Sequence, residues 1–203
     1  MVRKINPLYR RQELATELKS GRSMDKKGWV LAHNSTLQKM RWYLPVDLKK
    51  IINKYLQARI KRRKPRILDL GCTGGIALAE LFEQFGNSLE YHGMSLSPFF
   101  REWREIAAKS NGTIKFHVGH AEGIAKRFKP AFFDVIYSNL GIAHAMDIDN
   151  ALKNARNILR KRGLLIFNIS ARGLEKTPGF RTIMKCTVES FGSPKKTFVL
   201  EKI

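Results

Sequence analysis

The chain has 203 residues, with 38 Lys and Arg against 17 Asp and Glu, for a formal net charge of +21. A length near 200 suits one domain of about 150 residues plus an extension, and 43% apolar residues exclude wholesale disorder. No apolar run approaches the about 20 residues that span a bilayer, and two cysteines, Cys72 and Cys186, supply no disulfide framework or metal cluster, so no metal is expected.

The charge is concentrated early. Residues 1–66 hold 19 Lys and Arg but only Glu13, Glu17, Asp25 and Asp47 as acids, a net +15. Such an arm predicts a polyanionic partner, because each phosphate contact releases counterions. Residues 1–28 read as an extended or partly helical basic arm. MVRKINPLYRRQ has the Arg content of an organelle transit peptide, but Glu13 and Glu17 oppose that reading. The bland expectation is an intracellular, reducing, cytoplasmic setting. Trp29, Trp42 and Tyr43 lie within the basic region. They either stack on bases or pack the N-terminal helix against the rest of the protein. After Pro45, Val46 to Arg63 reads as an amphipathic helix, with Leu48, Ile51, Ile52, Tyr55, Leu56 and Ile60 at helical spacing. Pro65 stops it. Residues 1–65 are thus read as a basic, partly helical N-terminal extension, and 66–203 as the domain.

From Arg66 strands and helices alternate. Ile67–Leu70 is a short apolar strand, and Ile76–Phe85 a helix ended by Gly86. Glu90–Met94 is the second strand, followed by a helix through Lys109. Thr113–Val118 is the third strand, Ala121–Phe128 a short helix, and Phe132–Tyr137 the fourth strand. Asp149–Arg160 is a helix and Leu164–Ile169 the fifth strand. This order predicts an α/β fold with a parallel sheet covered on both faces. Arg181–Glu189 and Thr197–Lys202 read as a closing hairpin around Gly192-Ser193-Pro194.

The strongest local signal is Leu68-Asp69-Leu70-Gly71-Cys72-Thr73-Gly74-Gly75, which leaves a strand and opens a helix. Glycines there let the backbone approach a ligand at the head of a parallel sheet. The Lys-Ser/Thr of a phosphate-binding P-loop is missing, which argues against nucleotide triphosphate hydrolysis. With Gly93-Met94-Ser95-Leu96, Val118-Gly119-His120-Ala121-Glu122, Phe133 to His144, and Ala151 to Phe167, the stretch resembles class I S-adenosylmethionine-dependent methyltransferases. The resemblance covers about two thirds of the chain. It implies a Rossmann-like, seven-stranded, mostly parallel sheet with an antiparallel C-terminal hairpin. It also implies S-adenosylmethionine as cofactor, touched by Asp69, Gly71, Cys72, Thr73, Gly75, Ser95, Leu96, His120, Ala121 and Asn139. Three positions depart from the family. Thr73 stands where a glycine is usual. Ser95 stands where a carboxylate accepts from the ribose hydroxyls, and His120 where Asp accepts from the adenine amine. A neutral hydroxyl makes fewer and weaker bonds than a carboxylate, and an imidazole accepts only in one tautomer.

No dedicated catalytic loop is present. Ser138-Asn139-Leu140-Gly141 occupies the place of the loop used for exocyclic amine methylation. His144, in the same loop, is the candidate catalytic base. His33, His92 and His117 read as structural or surface residues. Lys61-Arg62-Arg63-Lys64 and Arg160-Lys161-Arg162 either contact phosphates or complement helix dipoles. The favoured function is a monomeric methyltransferase acting on RNA or a ribonucleoprotein. The alternatives are an inactive methyltransferase-like structural or assembly subunit of a ribonucleoprotein, and a small-molecule methyltransferase.

Overall fold

The computed structural model describes residues 36–41, 44–59, 63–96, 100–170, 177–190 and 193–203, all within one compact unit spanning 35–203. The basic arm, Trp29, His33, Trp42 and Tyr43 lie outside the described residues.

The element order is α1 (Leu37–Met40), α2 (Leu48–Arg59), β1 (Arg66–Leu70), α3 (Ile76–Phe85), β2 (Glu90–Ser95), α4 (Phe100–Lys109), β3 (Ile114–Val118), α5 (Ile124–Arg127), β4 (Phe133–Ser138), α6 (Ile148–Ile158), β5 (Leu159–Ser170), β6 (Phe180–Ser190) and β7 (Ser193–Lys202). The seven strands form one sheet in the order β3-β2-β1-β4-β5-β7-β6. Strands β1 to β5 pair in parallel. β7 runs antiparallel to both β5 and β6, so only this strand of the hairpin opposes the sheet direction.

The period-2 alternation of each strand divides the core into two layers. Leu68, Leu70, Ile136, Leu165 and Phe167 face α5 and α6. Ile67, Val135, Tyr137, Leu164 and Ile166 face the layer holding Ile52 of α2 and Leu78 of α3. β1 and β4 are buried almost throughout, which explains why they read as continuous apolar runs. In α2, Leu48, Ile52 and Tyr55 are the buried positions, at the spacing of a single helical stripe. The helix is described through Arg59, and residues 60–62 of the expected segment to Arg63 lie outside the described residues. α6 starts on a side-chain cap, with Asp147 accepting from the Asn150 amide at 2.9 Å. It buries Ala151, Leu152, Ala155 and Ile158. It passes directly into β5 at Leu159, five residues before the expected Leu164. A register shift against β4, between the Leu159 and Leu164 pairings, accompanies this, with Arg162 in the left-handed region at φ 62°.

Candidate functional site

The carboxyl ends of β1, β2, β3 and β4 meet at one edge of the sheet, where the expected site residues lie on adjoining loops. The loop after β1 is held from below. The amides of Gly71 and Cys72 both donate to the Met94 carbonyl of β2, at 2.8 and 3.0 Å. Gly71 sits at φ 101°, and a Cβ there would come within 2.9 Å of the Gly141 Cα. Gly75, at φ 85°, leaves space that the Phe116 ring fills, since a Cβ would lie 2.6 Å from that ring. Both glycines are therefore dictated by left-handed backbone and by close packing of the loop on its neighbours.

Thr73 is the departure at this loop, and it adopts φ 47°, a conformation costly for a β-branched residue. Its carbonyl accepts from the Trp103 indole nitrogen at 2.7 Å. Trp103 in turn stacks on Phe116 with ring centroids 5.0 Å apart. Cys72 Sγ makes a long contact to the Thr73 carbonyl at 3.7 Å. Its sulfur is buried, within 2.8 Å of where a Gly93 Cβ would be. Burial and the Asp69 charge push the thiol pKa up, which leaves it an inert core group.

Asp69 lies beneath the loop and is only 3% exposed. Burial pushes its carboxyl up to about 7. The Tyr137 hydroxyl lies close enough to favour the charged form slightly, yet it forms no hydrogen bond of ordinary geometry and is itself buried. A carboxyl raised by burial beside a Tyr137 hydroxyl without a hydrogen-bond partner suits an incoming cationic or hydrogen-bonding ligand.

The tips of β2 and β3 carry Ser95 opposite Val118 in register. They are tied again beyond the strands, where the Gly119 amide donates to the Ser95 carbonyl at 2.9 Å. Leu96 and Val118, at the ends of β2 and β3, are 48% and 40% exposed. Such exposure is what a flat heterocycle would cover. Ser95 is nearly buried, and Ala121 is buried at the start of the turn Ala121–Gly123.

His120 is exposed and its Nδ1 lies 3.1 Å from a Glu122 carboxylate oxygen. A carboxylate only accepts, so neutral His120 carries its proton on Nδ1 and presents Nε2 as an acceptor. This is the tautomer that an adenine amine requires. Glu122 also accepts from the Met146 amide at 2.6 Å and the Asp147 amide at 3.3 Å. Burial opposes its charge, but these bonds and those from its own backbone and His120 hold its pKa below the usual carboxylate range.

The loop after β4 is knitted to β1 and β5. Ser138 Oγ donates to the Leu70 carbonyl at 2.7 Å and accepts from the Ile142 amide at 2.9 Å. Gly141 is wedged against β1, since a Cβ would lie 2.1 Å from the Leu70 oxygen. Asn168 of β5, fully buried, accepts from the Leu140 amide at 2.7 Å and donates to Asn139 Oδ1 at 3.0 Å. That pair of bonds secures Leu140 at φ 66°. His144 is exposed in the turn Ile142–His144 that follows. Asn168 thus shapes the site without having been singled out from the sequence, and Ser138, Glu122, Tyr137 and Val118, quoted there only as parts of motifs, do so as well. A polar residue at the centre of an apolar strand is the available signal for Asn168, and its counterpart Ser138 closes β4.

The comparisons agree with this geometry. Residues 68–167 match the family described as "Methyltransferase domain". No protein of curated function matches the chain. Among solved structures, the chain is similar to a Burkholderia thailandensis 1,6-didemethyltoxoflavin-N1-methyltransferase with bound 1,6-didemethyltoxoflavin and S-adenosylhomocysteine. The TM-score is 0.70 at 15% identity, covering 100% of this chain and 92% of that one. It is also similar to TrmN from Thermus thermophilus, with TM-score 0.53 and 24% identity over 76% of this chain and 49% of that one. The [4+2]-cyclase SpnF shares the fold at TM-score 0.58 and 12% identity, over 76% of this chain and 80% of that one. The site fits S-adenosylmethionine through the glycine cradle over Asp69, the apolar pair Leu96 and Val118, and the His120 acceptor, with a hydroxyl replacing the carboxylate at Ser95. Residues 68–167 thus carry a methyltransferase domain, on the Rossmann-like fold of class I S-adenosylmethionine-dependent methyltransferases.

Proposed function

We propose that the chain transfers a methyl group from S-adenosylmethionine to RNA or a ribonucleoprotein. The observation that carries the acceptor class is the charge, +21 overall with +15 on the first 66 residues. The bound cofactor supplies a methyl group already activated on a sulfonium centre, so positioning accounts for most of the catalysis. Gly71 to Gly75 and Asp69 would hold its methionine end. Leu96, Val118, Ala121 and His120 would hold the adenosine, with Ser95 at the ribose. Asn139, fixed by Asn168, would border the transferring methyl. His144 would take a proton from an acceptor that must lose one.

A second reading is favoured by Ser95. Without a carboxylate at the β2 tip, the domain would serve as an inactive structural or assembly subunit of a ribonucleoprotein. Methyl transfer from labelled cofactor to separated RNA, protein and small-molecule pools decides among these. Label in RNA that is lost in Asp69→Asn supports the proposal. Label only in small molecules assigns a small-molecule acceptor, and RNA binding without any transfer supports the structural role.

A further inference from the structure

The opposite end of the sheet carries its own charge pattern. Two acids stand there at the starts of β2 and β4, Glu90 and Asp134, and both are saturated. Asp134 takes a two-point pair from Arg63 and accepts the Arg66 amide at 2.9 Å. Arg160 approaches the same carboxylate at 4.0 Å, with its Nε buried and without a hydrogen bond. Glu90 is held by Arg66 at 2.8 Å, Lys115 at 3.0 Å and His92 at 3.1 Å. Beyond these pairs the rim exposes Lys64, Lys109, Lys129, Lys161 and Arg162. Among the described residues, none of those four lysines forms an ion pair.

Helix-dipole complementation accounts for Lys109, the last residue of α4. It does not account for the others. Lys64 and Lys129 lie in the segments leading into β1 and β4, and Lys161 and Arg162 lie in the irregular first part of β5, between its Leu159 and Leu164 pairings with β4. β1, β4 and β5 are neighbours in the sheet, so these segments form one continuous edge. Lys61 and Arg62 precede Lys64 in sequence and lie outside the described residues. Saturated acids together with Lys64, Lys129 and Lys161 make a surface that polyanions would enter without first breaking an ion pair of those lysines.

We infer that this rim, formed where β1, β4 and β5 begin, is a docking site for the phosphate backbone of a nucleic acid. The inference rests on the reading of RNA as partner, and it adds where the RNA sits. Strands of five to six residues, at about 3.3 Å each, set the rim about 17–20 Å from the cofactor loops. Docking at the rim and methyl transfer at the loops are therefore separate contacts, and an RNA serving both must reach around the domain.

The test uses the full chain with Lys64, Lys129 and Lys161 each changed to Glu. A matched control changes Lys50, Lys54 and Lys195 to Glu. Binding of a fluorescent 30-nucleotide RNA is followed across a salt series, alongside DNA of the same length and phosphatidylserine vesicles. S-adenosylmethionine binding is measured on each variant by calorimetry as a check on folding. The expected result is a tenfold or greater loss of RNA affinity in the rim variant. Its slope of log K against log salt should also be lower by about 2. The control should lose less than threefold, and cofactor binding should be unchanged. DNA behaving like RNA supports a backbone contact. Equal losses in rim and control variants overturn the rim while leaving RNA as partner. Vesicles binding through the rim when RNA does not would overturn it in favour of an anionic membrane surface. An unaltered chain that binds no RNA removes the reading on which the inference rests.

Discussion

The indole nitrogen of Trp103 donates to the carbonyl oxygen of Thr73 at 2.7 Å, and so fastens helix α4 to the one residue of the glycine loop whose backbone is strained. The same indole stacks on Phe116, which fills the space left by Gly75. Helix, third strand and loop are held as one unit, so the loop keeps its shape without the usual glycine at position 73.

Thr73→Gly follows directly. A left-handed conformation costs an L-residue about 1–2 kcal/mol, and glycine gives back about 0.5–1 kcal/mol in unfolded-chain entropy. The variant should be more stable by up to about 1 kcal/mol in urea denaturation, and it should bind S-adenosylmethionine at least as tightly. Trp103→Phe keeps the ring stack but removes the donor. It should cost about 1 kcal/mol and weaken cofactor binding.

Asn168→Leu preserves volume but removes both bonds to the loop after β4. Leaving the Leu140 amide without its partner should cost about 1–3 kcal/mol in the same denaturation assay. On the proposed reading, in which Asn139 and His144 would border the acceptor side, methyl transfer should fall more than cofactor affinity. Asn168→Asp keeps the acceptor for Leu140 but opposes Asn139 Oδ1 with a second acceptor, and it should recover only part of the stability.

Asp69 makes cofactor binding depend on pH. Burial raises its pKa to about 7 in the free protein. A cationic ligand needs the ionised form, so binding below that pH must release a proton. Affinity should fall as pH drops through about 7, approaching tenfold per unit, and Asp69→Asn should remove this dependence. The free domain follows the opposite sign. A carboxyl raised in the folded state favours folding below its unfolded pKa, near 3.8, and that contribution is lost as pH rises through about 7. Calorimetry across pH 5.5 to 8.5 in buffers of different ionisation heat checks the released proton.

His92 and His117 form a second titrating pair, on β2 and β3. His92 Nδ1 lies 3.0 Å from His117 Nε2, and its Nε2 lies 3.1 Å from Glu90. The carboxylate requires a proton on His92 Nε2, so His117 donates to Nδ1. Phe128 and Phe133 pack edge-on against His92. Burial lowers both imidazoles, His117 to about 4 with help from the charges of His92, Arg127 and Lys115. Arg66 and Lys115 also lower His92, whereas Glu90 opposes the shift. Folding therefore favours the neutral rings. Their contribution is intact above the ordinary histidine pKa of 6.5 and is lost as pH falls from there toward 4. The melting temperature should drop over that window, and His117→Gln should flatten the drop.

Much of this was readable from the residues. The parallel sheet followed from apolar runs separated by helical stripes, and the glycine loop marked the head of β1. Lengths were less legible where tertiary contacts set them. β5 begins inside the expected helix segment, because pairing with Phe133 captures Leu159. At the site, the sequence marks the residues proposed to meet the cofactor and not the ones that position them. Asn168 and Glu122 act on neighbours 28 and 24 residues distant in the chain, and no local spacing encodes that. Exposure of Val118 was equally hidden, since its strand reads as an ordinary alternation.

The departures at Ser95 and His120 bear hardest on the account, and one titration addresses them. Calorimetry of S-adenosylmethionine into the full chain at pH 8 should show saturable binding with one site. Glu122→Ala should weaken it by releasing the His120 tautomer, and Gly71→Val should abolish it. No heat of binding at millimolar cofactor would contradict the cofactor site and the methyl transfer built on it.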